Sequence, residues 1–431
     1  EKRDPSLAMS PPKEPIIYYI EHTTPVRYRR WVRDSVLAWN RAFEQVGIVN
    51  AIEVRQQDAQ TGAYMDIDPE DMRYSFIRWT NANIGYAIGP SNAHPETGEI
   101  YNADIVMDEA FIGNFGRQMM RYAQAAASMQ GLDAEAIAWF DENPSWDPRV
   151  LLATPQERAE IATYRQQVAM GQTPEQMPEM LKHTASMLGH DEDCKGHMCA
   201  AAFSQGMNIA SMRLAIDAGL VPAPAEDESV LDGLPESFIG PLIKWVLMHE
   251  VGHTLGLMHN FKASSAYDYK DINSEGFRGV KSWSVSVMDY PPLNIVAPGS
   301  EMIQGDWGML DIGTYDMWAI KWGYSASDKQ AEEIIKLNTD PAHIFMSDEG
   351  NSGPDPRVRT WDLGENSLDF ADNQVRMVAA LRERIVDEIV KDGDSWQRAR
   401  DAYMDSLLRQ SQALGAASGW VGGVYVSRAH K

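Results

Sequence analysis

Apolar residues recur along this chain at two spacings, and the change from one to the other marks its elements. Pro15 to Ile20 (PIIYYI) is a short β-rich run. From Arg27 to Gly47, Trp31, Val32, Val36, Trp39, Ala42, Phe43 and Val46 fall at helical spacing, with Gly47 as a stop. Ala51–Arg55, Tyr74–Trp79, Gly85–Gly89 and Ile100–Met107 read as further strands, with a turn at PETGE (95–99). The opening third is therefore expected to form a mixed sheet with a helix packed on it. From Asp108 to Pro235 the composition shifts to Met, Ala, Gln and Glu, which predicts a helical insertion. Pro241–Leu257 reads as one amphipathic helix, Asn260–Ser282 as a polar loop and Gly313–Gly323 as a short aromatic helix. Ala371–Gly415 is helical again, with Val375, Val378, Leu381, Ile385 and Ile389 in register. The pattern predicts an α+β fold in four stretches: 1–107, 108–235, 236–325 and 326–431.

Composition narrows the partners. With 62 Asp+Glu against 38 Lys+Arg the formal charge is −24, a field that repels phosphate backbones and argues against nucleic acid. No apolar run reaches the roughly 18 residues of a membrane span. The opening EKRDPSLAMSPPKEP lacks an initiator Met and reads as an internal start, so any targeting signal is expected upstream. The two cysteines, Cys194 and Cys199, admit a local disulfide, free thiols or, with His197 between them, a metal site.

The chemistry is concentrated in His249-Glu250-Val251-Gly252-His253-Thr254-Leu255-Gly256-Leu257-Met258-His259. On a helix, positions i and i+4 lie about 40° apart, so His249 and His253 can present imidazoles to one ion. His259 would point elsewhere if the helix continued. Gly256 tolerates positive φ, so the chain can turn back there and bring His259 to the same ion. Three histidines leave one position open, the catalytic rather than the structural arrangement, and zinc suits three neutral imidazoles. Glu250, beside the first ligand, is placed to act as general base without being a ligand itself. This pattern fits peptide hydrolysis, with a protein or peptide as substrate. The acidic, glycine-rich loop 347–356 departs from the EF-hand calcium spacing and reads as solvated.

A second element, Ser284-Val285-Ser286-Val287-Met288-Asp289-Tyr290-Pro291-Pro292, follows downstream. With it the chain resembles the metzincins, whose Met-containing turn lies beneath the metal site. HEVGHTLGLMHNFKAS, SVMDYPP, YDMWAIKWGY, GPDPRVRTWDLG and GGVYVSR together resemble a large family of bacterial zinc-dependent metalloproteases with a met-zincin domain. The resemblance implies a metzincin-like core of twisted mixed sheet, backing helix, active-site helix and Met-turn. It places Met288 in that turn and Tyr290 near zinc, as an extra ligand or a transition-state donor. It also implies an exported protein, whether periplasmic, surface-located or secreted. By analogy, the strand Gly98–Met107 is expected at the sheet edge, with Ala103 and Asp104 near an extended substrate. Two alternatives remain open, a catalytically silent zinc-binding relative used for binding or assembly, and an autoinhibited enzyme. Oligomeric state is not legible.

Overall fold

The computed structural model describes residues 1–81, 87–109, 112, 134–174, 176–182, 201–351 and 353–427. Cys194 and Cys199 lie outside the described residues, as do parts of the helical insertion and the first residues of the strand expected at 85–89.

The fold is α+β. Its opening strands are β1 (Ile16–Ile20), β2 (Ile52–Gln56), β3 (Ser75–Thr80), β4 (Ala87–Ile88), β5 (Ser91–Ala93), β6 (Ile100–Ala103) and β7 (Ile105–Asp108). Five of them form one mixed sheet in the order β2-β1-β3-β7-β4. The first four run parallel, and only β4 is antiparallel to its neighbour, pairing Ala87 with Met107 and Ile88 with Val106. β1 is covered on both faces, with Tyr18 bonded to Thr254 of the later helix on one and Tyr19 packed on Tyr64, Tyr74 and Phe76 on the other, so Tyr18, Tyr19 and Ile20 are all buried and the apolar run is unbroken.

The segment between β1 and β2 forms two helices rather than the single one expected. α1 (Arg29–Ala38) and α2 (Asn40–Glu44) meet at Trp39, whose indole N–H donates to the carbonyl of Met248. Downstream come α3 (Ala134–Glu142), α4 (Pro148–Leu152), α5 (Pro155–Ala169) and α6 (Ala201–Asp217). A small hairpin of β8 (Val230–Leu231) and β9 (Leu234–Pro235) leads into α7 (Glu236–Thr254). α7 begins earlier than the expected Pro241 because the hairpin feeds it directly, with Glu236 N–H donating to the Ser229 carbonyl. It is buried nearly all round, through Phe238, Ile239, Leu242, Ile243, Trp245, Val246, Leu247, Met248 and Val251. Gly240 lets α1 approach closely, since a Cβ there would lie 2.1 Å from the Trp31 ring. α8 (Tyr269–Ile272), α9 (Thr314–Gly323), α10 (Asp328–Ile335), α11 (Ser367–Arg384) and α12 (Gln397–Ser418) follow. One hydrophobic core runs from Tyr18 through α7 and Met288 to Met377.

The structure corrects one expectation about the sheet. The stretch 98–107 is not the edge strand. Asp104 interrupts it, taking the Phe76 N–H on its carboxylate at 2.8 Å and giving its own N–H to the Pro90 carbonyl at 3.1 Å. The run therefore splits. β6 pairs with β5 in a separate hairpin, while β7 lies inside the main sheet between β3 and β4. Ala103 is buried, and both Ala103 and Asp104 are engaged with β3. The antiparallel edge of the described sheet is Ala87–Ile88.

Candidate metal centre

α7 supplies two of the three histidines, and its termination supplies the geometry for the third. Gly256 has φ +95°. Its N–H donates to the His253 carbonyl at 3.0 Å, and the Leu257 N–H reaches back to the Gly252 carbonyl at 3.0 Å. These two bonds make a Schellman ending, in which a left-handed glycine reverses the chain. Next to the reversal, the Asn260 N–H donates to the Met288 carbonyl at 2.9 Å, tying the strand of chain after His259 to the methionine turn.

The three imidazoles converge as expected. The Nε2 atoms of His249 and His253 are 3.1 Å apart, and one ligand atom from each of His249, His253 and His259 lies within 4.8 Å of the others. A tetrahedral ion at about 2.0–2.1 Å from each nitrogen wants them about 3.3 Å apart. Each Nδ1 faces an acceptor: the Val287 carbonyl at 2.7 Å for His249, the Leu257 carbonyl at 3.0 Å for His253 and the Asp348 carboxylate at 2.9 Å for His259. That leaves all three Nε2 atoms for a metal, a donor set that fits zinc. Burial, with the neighbouring imidazoles adding to it, pushes His249 well below the ordinary histidine range. The same causes lower His253 to about 4. Both are thus held neutral, the form that ligates.

Glu250 and His249 are wholly buried. Gly89, the residue after β4, runs against Glu250, and a Cβ on it would lie 2.7 Å from the Glu250 carbonyl and 3.3 Å from its carboxylate. This places the edge of the sheet beside the candidate general base. Met288 is fully buried, and a Cβ on Gly252 of α7 would lie 2.4 Å from its sulfur. The methionine turn therefore packs directly beneath the helix, at a point where only a glycine leaves room. The Tyr290 hydroxyl is 3.0 Å from His259 Nε2, and the Phe261 ring stacks on His259 at 5.1 Å between centroids.

Two carboxylates of the site were given no role from the sequence, although Asp316 lies within YDMWAIKWGY. Asp316, at the start of α9, accepts hydrogen bonds from Ser286 Oγ, Val287 N–H and Gly313 N–H, and so holds the methionine turn from outside. Asp348 lies in the loop read as solvated. The hydrogen bond from His259 holds its carboxyl down to about 2. Asp355 in the same loop is buried against Arg357 and Lys262, so that part of the loop is structural. Neither aspartate carries a local signal in the sequence.

No helix among the described residues is long and apolar enough to cross a membrane. No curated protein and no solved structure matches the chain. One family does: residues 232–431, from the hairpin before α7 onward, match the Met-zincin family, and that stretch holds the zinc-compatible histidine cluster.

Proposed function

We propose that this protein is a zinc-dependent endopeptidase, with His249, His253 and His259 as ligands and Glu250 as general base. The observation that carries the reading is the meeting of three imidazoles, one ring nitrogen of each within 4.8 Å of the others, beside a buried glutamate that follows the first of them. A zinc ion on such a set supplies an acidified water and a polarised substrate carbonyl. The chain's residues do the rest. Glu250 accepts the proton of the attacking water and passes it to the leaving amine. Tyr290, beside His259, serves as a further ligand or as a donor to the developing oxyanion. The outer edge of β4, next to Glu250, takes an extended peptide through main-chain hydrogen bonds. In this reading 1–107 and 236–325 frame the cleft, 108–235 is an insertion and 326–431 closes the lower side. The substrate is a protein or peptide met outside the cytoplasm.

The test is cleavage of an unfolded protein by the native chain, with and without chelator, beside Glu250→Ala. The expected result is loss on chelation and a fall of about 10²–10⁴-fold in the variant, with zinc still bound. Full activity in Glu250→Ala refutes the mechanism. The complete burial of Glu250 and His249 favours a second reading, a zinc-binding Met-zincin that is silent or held inactive. Turnover by the zinc-loaded native chain rejects it.

A further inference from the structure

The third ligand differs from the other two in what stands behind it. His249 and His253 face backbone carbonyls of Val287 and Leu257, whereas His259 faces a carboxylate supplied from 89 residues away. We infer that Asp348 is a positioning residue for the metal, fixing His259 with its proton on Nδ1 and its Nε2 toward the ion. This rests on the zinc reading above.

The placement of Asp348 is built into the backbone. Phe261, two residues after His259, gives its N–H to the Met346 carbonyl at 2.9 Å and accepts the Arg359 N–H on its own carbonyl at 3.1 Å. These two bonds close the neck of the loop between 346 and 359. Asn260 adds two more, from its side-chain amide to the Ile344 carbonyl at 2.8 Å and from Met346 N–H to its side-chain oxygen at 3.2 Å. Within the loop, Asp348 opens a single 3-10 turn closed by Gly350, which packs on Met346 so tightly that a Cβ there would lie 2.3 Å from it. The buried Ser347 donates its hydroxyl to the second carboxylate oxygen at 3.0 Å. Both oxygens are therefore oriented, one by Ser347 and one by His259. Asp348 and its ligand are held by the same short stretch of chain, Asn260–Phe261, so the pair moves as a unit. A carboxylate on the distal nitrogen of a ligating histidine selects the tautomer and raises its donor strength, with a typical effect of 10–100-fold on metal affinity.

The experiment measures zinc affinity by competition with a chromophoric chelator, in the full chain and in Asp348→Ala, Asp348→Asn and Ser347→Ala. The visible band of the cobalt-loaded protein and the melting of the metal-free chain are recorded alongside. Asp348→Ala is expected to weaken zinc by about tenfold or more and to shift the cobalt band, with metal-free melting unchanged. Asp348→Asn, which keeps an acceptor without the charge, recovers part of the affinity, and Ser347→Ala loses less than Asp348→Ala. A smaller change in Asp348→Ala overturns the inference, as does an equal loss of metal-free melting, which would mark a merely structural role. If the native chain itself binds no zinc, the zinc reading falls and this inference with it. Native binding with an indifferent Asp348→Ala removes the inference alone.

Discussion

Asp316 offers the sharpest test of how the site is held. It is wholly buried and accepts Ser286 Oγ at 2.5 Å, Val287 N–H at 2.8 Å and Gly313 N–H at 2.7 Å. Asp316→Ala leaves two interior backbone N–H groups without an acceptor. The Ser286 hydroxyl can rotate, so it adds little. At about 1–3 kcal/mol for each orphaned donor, the variant should lose about 2–6 kcal/mol, a large part of the 5–15 kcal/mol typical of a folded domain. The effect also reaches the metal. Val287 receives the Asp316 bond on its N–H and offers its carbonyl to His249 Nδ1, so slack in the turn loosens the first ligand. Zinc affinity should fall by about tenfold. Asp316→Asn adds a pH signature. Burial pushes the Asp316 carboxyl up to about 7, so between about pH 4 and 7 the native state keeps a proton that the unfolded chain has released. Its contribution is full below the unfolded value and is lost as pH rises through about 7. The stability of the native chain relative to Asp316→Asn should therefore decline by on the order of 1 kcal/mol per pH unit across that window. Guanidinium unfolding of the metal-free proteins at several pH values, with zinc competition at neutral pH, measures all three. A loss below about 1 kcal/mol in Asp316→Ala, with native zinc affinity, would refute the reasoning.

Two other expectations concern the helix itself. Gly252→Ala sets a gain of about 1 kcal/mol in helix propensity against about 1–3 kcal/mol of crowding on Met288 and Trp39, for a net loss of about 0–2 kcal/mol in denaturant unfolding. A full gain of about 1 kcal/mol would show that Met288 yields without cost. For His253, burial lowers the folded value to about 4, so on acidification the unfolded chain takes up a proton first. The metal-free native chain should lose stability relative to His253→Gln as pH falls from about 6.5 to about 4, by on the order of 1 kcal/mol per unit, and a flat difference would contradict this.

The parts of the fold that repeat a period were legible. β1, β2 and β3 lie within a residue of the runs at 15–20, 51–55 and 74–79, and α9 matches 313–323. The turn at Gly256 was legible because it is the one glycine between the second and third histidines, where the chain must reverse. The edge strand was not. β4 pairs over two residues, too few for an alternation to register, and the better alternating run at 100–107 is bent by Asp104, whose side chain competes for backbone hydrogen bonds. Asp348 and Asp316 escaped for a different reason. A single aspartate in a polar loop or at a helix start looks the same whether it meets water or a distant part of the chain, and both meet partners only after the chain has folded across tens of residues.

The neck formed by Phe261 and Asn260 bears on the order in which the protein matures. His249 and His253 are neighbours as soon as α7 forms, since they are one helical turn apart. His259 acquires its carboxylate only when a segment more than eighty residues downstream has docked, an encounter that carries the entropic cost of closing a long loop. Two nitrogens on a nascent helix make a weak and unselective trap for any passing divalent ion. Tight retention would thus wait for the segment from Ile344 to Arg359 to dock, and a bound ion would in turn latch that late contact shut.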